Sequence, residues 1–175
     1  RRATLGFAGA GGIVEGPLAG GRGSWIVSAR RSFLDIFTND VGVGGVPVLY
    51  TLNSKFVYDL NQQDRIWAVN ISGIDRIRLG RTDGSANEEP SEVFNFDIRY
   101  RGWRSASGFN WQHVFGSKAV GLLGITQSSA RVRSTVKDLL RNGPSTLPAD
   151  ALIAQTPAAF SEDSGEDETT IKYDA

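Results

Sequence analysis

The 175-residue sequence predicts an all-β protein, an antiparallel up-and-down meander that supplies about six or seven strands to a partial transmembrane β-barrel. Apolar and polar residues alternate with a period of two over long segments, which is typical of strands with two different faces. The connections between these segments are short and long in turn. Tryptophans lie beside the short connections, as aromatic residues do at a membrane interface.

Composition restricts the class of protein. The formal net charge is zero, so the chain has no overall basic field for a nucleic acid partner. The absence of cysteine excludes disulfides and thiolate metal sites. No segment approaches the roughly 18 apolar residues of a transmembrane helix. The 21 glycines suit a β protein with many turns and bends.

The clearest strand is predicted over residues 48–60. One face carries larger apolar side chains, namely Tyr50, Leu52, Phe56 and Tyr58. The other face carries Thr51, Asn53, Lys55 and Asp59. Further strands are predicted over residues 3–14, 24–34, 65–78, 93–115, 119–129 and 169–173.

Two of these segments contain an irregularity. Over residues 93–115 the apolar residues change from even to odd positions, which predicts a β-bulge between Gly102 and Gly108. After the strand at 119–129, residues 132–140 favour a short helix.

The connections predict the orientation of the sheet. Short connections fall near residues 15–23, 60–64 and 116–118, and long ones near 35–47, 79–92 and 130–168. Because successive connections of a meander lie at opposite ends, all the short ones share one end. Outer-membrane barrels have short periplasmic turns and long external loops. We therefore expect residues 130–168 to form a long external loop.

Five aromatic residues are expected near the short-turn end, where they would form an interfacial girdle. They are Trp25, Tyr58, Trp67, Trp111 and Phe115. The alternative is that they are core aromatics of a soluble sandwich.

Polar residues on the opposite parity are expected to face a wet lumen, because a charged side chain is costly against lipid. The candidates for a lumen lining or substrate path are Arg30, Lys55, Asp59, Asn70, Asp97 and Arg99. These six residues are equally compatible with a structural network inside the lumen that contacts a plug, a domain filling the barrel. Arg31 has the parity of the lipid face, which predicts a position near the outer interface.

One stretch resembles a known family. Residues Gly16, Pro17 and Leu18, followed by the segment GSWIVSARRSFLD at 23–35, resemble the early barrel of TonB-dependent outer-membrane receptors. The subgroup with a carboxypeptidase-regulatory-like N-terminal domain is the most similar. Residues 53–60, 64–66 and 110–116 also resemble barrel strands of this family, and residues 169–174 resemble the next strand after a large loop.

The resemblance implies a place in the bacterial outer membrane and a parent barrel of about 22 strands with a plugged lumen. Such receptors import a nutrient such as a siderophore, cobalamin or glycan. The implied partners are outer-membrane lipid, the rest of the barrel, the plug, and TonB. No segment resembles the plug, so we expect a fragment whose parent contacts TonB through its N-terminal region.

Two other classes of function remain as alternatives. A soluble all-β module that binds a glycan or protein would account for the strand pattern. An outer-membrane lipase would need a catalytic histidine, and His113 is the one histidine. Its parity groups it with Trp111 and Phe115, and there is no G-x-S-x-G motif. We therefore predict no enzyme, no catalytic residue and no cofactor. The acidic run 162–168 lacks the spacing of a calcium loop, so no metal site is predicted and a solvated loop is favoured.

Overall fold

A computed structural model describes residues 2–6, 9–32, 47–80, 95–141 and 145–175. These residues form one antiparallel sheet of eight strands whose spatial order follows the chain order. The strands are β1 Arg2–Gly6, β2 Gly9–Leu18, β3 Gly23–Ser32, β4 Val48–Asp59, β5 Asp64–Leu79, β6 Phe96–Phe115, β7 Ala119–Asp138 and β8 Phe160–Asp174. The predicted all-β meander is confirmed. The sheet is open, because β1 and β8 are its two edges.

The strand predicted over residues 3–14 is in fact two strands. β1 and β2 pair as a hairpin in which Gly6 lies opposite Gly9. A connection of this length scarcely interrupts the apolar spacing, so the alternation alone did not reveal it. The hairpin raises the number of strands above the predicted six or seven.

The bulge predicted in β6 is absent. β6 pairs with β5 and with β7 in one continuous register from Phe96 to Phe115. The apolar residues instead change face along a regular strand. Near the long connections, Ile98 lies directly between Leu79 and Val136. This cross-strand apolar row explains the change of parity without an extra residue.

The helix predicted at 132–140 is also wrong, because β7 continues to Asp138. The acidic segment 162–168 is not a loop but part of β8. Opposite charges on neighbouring strands account for this pairing, since Arg133 contacts Asp163 at 2.5 Å and Arg131 contacts Asp167. The long connection is therefore 139–159 rather than 130–168, and it contains a short helix, α1, Ala149–Gln155.

The alternation of connection lengths is confirmed for β2 to β8. Residues 19–22, 60–63 and 116–118 form the short turns at one end of the sheet. The strand ends that flank the connections 33–47, 80–95 and 139–159 lie at the other end. The predicted loops at 35–47 and 79–92 lie almost entirely outside the described residues.

The described residues form a single layer without a conventional core. The buried apolar side chains are Leu139 and Ile153, and both belong to the long connection between β7 and β8. Most larger apolar side chains of the strands remain partly or largely exposed. Within the described part of the chain, no helix has the length and apolar character needed to cross a membrane.

Candidate functional site

The cross-strand register decides which side chains share a face, since directly opposed residues of an antiparallel pair point to the same side. Trp25 lies opposite Phe56, and Tyr58 lies in one row with Ile66 and Trp111. We call this side of the sheet the aromatic face. Four of the five predicted girdle residues lie on it, namely Trp25, Tyr58, Trp111 and Phe115.

Trp67 does not join this group. It pairs with Val57 and Asn110, so it points to the opposite side of the sheet. We call that side the polar face, because it also carries Arg30, Lys55 and Asp59. Trp67 was predicted in the girdle from its place after a turn and from the apolar residues at odd positions of its strand. The register with β4 instead puts the even positions of β5 on the aromatic face.

A hydrogen-bonded cluster lies on the aromatic face beside the turn between β4 and β5. Asp64 follows the turn directly, and its Oδ1 accepts hydrogen bonds from Trp111 Nε1 at 2.9 Å and from His113 Nδ1 at 2.7 Å. Its Oδ2 accepts a hydrogen bond from Asn61 Nδ2 at 2.8 Å. The Asn61 Oδ1 in turn accepts the backbone N–H of Gln63 and of Asp64, which closes an Asx turn. The turn sequence thereby positions two rings of β6.

The His113 ring contacts the rings of two aromatic neighbours on β6, Trp111 and Phe115. His113 lies with its ring centroid 5.9 Å from that of Trp111 and 4.5 Å from that of Phe115, the latter in an edge-on arrangement. This matches the placement of His113 among aromatics. Within the described residues, no serine or threonine hydroxyl is hydrogen-bonded to the imidazole. The geometry therefore supplies a histidine–aspartate pair without a nucleophile.

The hydrogen bond from His113 lowers the pKa of Asp64, and those from Asn61 and Trp111 act in the same direction. Desolvation opposes this shift. Asp64 therefore stays ionised, and keeps accepting these hydrogen bonds, at pH values below the ordinary range of carboxyl pKa values.

The six predicted lumen residues do not share a face. Arg30, Lys55 and Asp59 lie on the polar face, where Asp59 pairs with Arg65. Asn70, Asp97 and Arg99 lie on the aromatic face instead. The cause is the register between β4 and β5. It pairs the even positions of the two strands, so the even positions of β5 lie on the aromatic face. The sequence of β5 does not reveal this, because its even and its odd positions both carry apolar residues.

Asn70 is the centre of a neutral polar cluster on the aromatic face. Its Nδ2 donates to Ser107 Oγ at 2.9 Å and to Ser105 Oγ at 3.1 Å, and its Oδ1 accepts from Ser72 Oγ at 2.8 Å. Because these groups satisfy one another, their cost in an apolar environment is reduced.

Asp97 and Arg99 lie beside the long connections. Asp97 is fully buried, and its Oδ2 accepts a hydrogen bond from Arg99 Nε at 2.8 Å. Arg78 Nε lies 3.7 Å from the other carboxylate oxygen, and Arg78 also contacts Asp150 of α1 at 3.7 Å. Lys137 Nζ donates to the Ile153 carbonyl of α1 at 2.6 Å. These contacts attach α1 to the end of the sheet.

A cavity of about 770 Å³ lies along the described strands β4 to β8. Its polar-face lining includes Asn53, Ile71, Asp75, Arg104 and Glu166, and none of the six predicted lumen residues. Arg104 lies 3.5 Å from Asp75. Counting back from Trp111 along an unbroken strand puts Arg104 on the polar face, and the expected bulge obscured this parity.

Comparison of the chain with protein-family models, with curated proteins and with solved structures gave no match.

Proposed function

We propose that this chain is part of the wall of a TonB-dependent receptor in a bacterial outer membrane. The parent receptor would import a nutrient such as a siderophore, cobalamin or glycan. The observation that carries this proposal is the aromatic face, which no second layer of the described residues covers except at the end beside α1. Such a face is costly in water and favourable against lipid acyl chains.

The strands meet the requirements of a bilayer. A membrane strand needs about 9–11 residues, and β5, β6 and β7 have 16, 20 and 20. In lipid every backbone polar group must be paired within the sheet. The open edges at β1 and β8 therefore call for further strands, which a parent barrel would supply.

The charges at the middle levels of the strands support a barrel wall. The polar face carries Lys55, Arg104 and Glu166 along the middle of the strands. At these levels the aromatic face carries Arg31 and the pair between Arg131 and Asp167. A wet lumen tolerates the first set, and pairing reduces the cost of Arg131 and Asp167.

The proposed assignment to this receptor family rests on the resemblance of residues 16–18 and 23–35 to the family's early barrel. These residues lie mostly in the hairpin of β2 and β3. Energy coupling to TonB and gating by a plug would belong to other parts of the parent. Sequencing the flanking coding region tests this assignment. We expect a plug domain upstream and further alternating strands downstream, and the absence of either would overturn it.

The membrane assignment can be tested with the chain's own tryptophans. Variants of the parent receptor that retain Trp25, Trp67 or Trp111 as their only tryptophan are refolded in micelles and transferred to phosphatidylcholine vesicles. Brominated acyl chains should quench Trp25 and Trp111 strongly. Trp67 on the polar face is the matched control and should be quenched much less.

Two results would overturn the membrane assignment. One is equal quenching of all three tryptophans by brominated lipid. The other is a folded, monodisperse chain in buffer without detergent, which is the behaviour of a soluble binding module.

A further inference from the structure

Three arginines lie side by side on the aromatic face near the long connections. Arg76 of β5 is directly opposite Arg101 of β6, which is directly opposite Arg133 of β7. We call these three residues the arginine row. Like charges that face each other across strands destabilise a sheet, so an anionic partner is expected.

The row is only partly neutralised within the described chain. Arg133 pairs with Asp163 of β8 at 2.5 Å. Arg76 and Arg101 are exposed and form no ion pair or side-chain hydrogen bond with another described residue. Two adjacent guanidinium groups therefore have donors that no described residue occupies.

Aromatic residues lie immediately below the row. Trp103 follows Arg101 by two positions on the same face of β6, and it shares a row with Ile74 and Tyr50. The exposed fractions of Trp103 and Tyr50 are 40% and 39%. Exposed tryptophan and tyrosine next to cationic side chains are typical of the level of lipid headgroups.

The distance to the other aromatic level agrees with this placement. Trp111 and Arg101 are ten residue steps apart on β6, which is about 33 Å along the strand at 3.3 Å per residue. For a strand tilted by roughly 40°, this corresponds to about 25 Å of depth, the height of the apolar band of outer-membrane barrels. Trp111 and the arginine row thus lie at the two borders of such a band.

We infer that the arginine row binds the phosphate groups of anionic lipids in the outer leaflet of the membrane. This inference rests on the proposed function, which directs the aromatic face toward lipid and the long connections toward the outside. Guanidinium groups bind phosphate oxygens through paired, charge-assisted hydrogen bonds. A lipid is the expected source of the phosphate because the row lies at headgroup level on the lipid-facing side.

Trp103 provides a local reporter for this binding. A variant of the parent receptor that retains only this tryptophan is placed in phosphatidylcholine vesicles containing brominated phosphatidylglycerol, and separately in vesicles containing brominated phosphatidylcholine. Stronger quenching by the phosphatidylglycerol gives its relative affinity for the site. Replacing Arg76→Gln or Arg101→Gln should reduce this preference about 5-fold each, since a cationic residue near an anionic surface contributes about that factor.

Arg104→Gln is the matched control, because Arg104 lies on the polar face of the same strand. It should leave the preference for phosphatidylglycerol unchanged. An unaltered preference in the Arg76→Gln and Arg101→Gln variants would overturn the inference, as would its complete loss on adding inorganic phosphate at constant ionic strength.

The failure of this inference is distinguishable from that of the proposed function. Equal quenching of Trp103 by both brominated lipids, with Trp25 and Trp111 still quenched, would overturn lipid-phosphate binding alone. A lack of quenching of Trp25 and Trp111 in pure phosphatidylcholine would overturn the membrane assignment itself.

Discussion

Trp111 donates its indole N–H to Asp64 across 2.9 Å, and this bond joins an aromatic ring of β6 to the first residue after the turn between β4 and β5. The indole is thereby oriented by a neighbouring strand rather than by its own. Asp64 lies at the turn, outside the part of the strands that we assign to the hydrocarbon. The pair thus links the short-turn end of the sheet to the level of the interfacial aromatics.

Replacing Asp64→Ala should release Trp111. The change removes the acceptor of both Trp111 and His113, so the indole should become more mobile. In a variant with Trp111 as its only tryptophan, we expect lower fluorescence anisotropy. Trp25, which packs against Gly16, is the control reporter and should not respond. Unchanged anisotropy of Trp111 would show that packing alone orients the ring.

Lowering the pH should release Trp111 as the Asp64→Ala change does. The release should occur at a lower pH than that at which carboxyl groups ordinarily bind a proton. The pKa of Asp64 is lowered in the folded chain by the hydrogen bond from His113 and then by those from Asn61 and Trp111. Its contribution to stability is therefore fully present above the pKa of the unfolded carboxyl and is lost as the pH falls through the lowered folded value. A pH titration of the Trp111 anisotropy checks this, and a transition at or above the ordinary carboxyl range would contradict it.

A charge should be tolerated on one face of the sheet and not on the other. Leu52 lies on the aromatic face and Ile71 on the polar face at neighbouring levels of β4 and β5, with exposed fractions of 49% and 61%. In a bilayer, Leu52→Arg should destabilise the fold by about 2–4 kcal/mol, as expected for a lipid-facing cation near mid-depth. Ile71→Arg should cost little. Denaturant unfolding from vesicles measures both, and equal costs would speak against a lipid-facing aromatic face.

The turn between β2 and β3 should respond with opposite signs to two small substitutions. Ala19 has a φ of 45° and Gly21 a φ of 96°, both in the region that favours glycine. Ala19→Gly should therefore stabilise the chain slightly, and Gly21→Ala should destabilise it by about 1 kcal/mol. Urea midpoints in micelles compare the two variants. A loss of stability in both would indicate that the Ala19 methyl group makes a favourable contact.

Asp97 should hold α1 in place through Arg78, which contacts both Asp97 and Asp150 of α1. Asp97→Asn removes a buried charge from between Arg78 and Arg99, and we expect a cost of about 1–3 kcal/mol because both arginines keep access to water. Limited proteolysis within residues 139–159 should become faster. Asp174→Asn, which breaks an exposed pair with Lys172 at the other end of β8, is the control and should leave this cleavage rate unchanged.

The sequence by itself determined the features that depend on neighbours along the chain. The alternation over residues 48–60 predicts β4, because successive side chains of a strand point to opposite sides whatever lies beside it. The order of short and long connections predicts the meander, because a short turn can only join adjacent antiparallel strands. Both predictions rest on local geometry, and both are confirmed.

The tertiary structure alone decided which side chains meet. Trp67 lies on the other face of the sheet from the girdle. Asn70, Asp97 and Arg99 lie on the other face from the polar residues of β3 and β4, Arg30 and Lys55. A register shift of one residue exchanges the faces of a whole strand, so register decided both placements. The same pairing brought together Arg76, Arg101 and Arg133, which are far apart in sequence, and placed the acids of β8 beside the arginines of β7. Register depends on contacts between strands, and the alternation within a single strand does not contain that information.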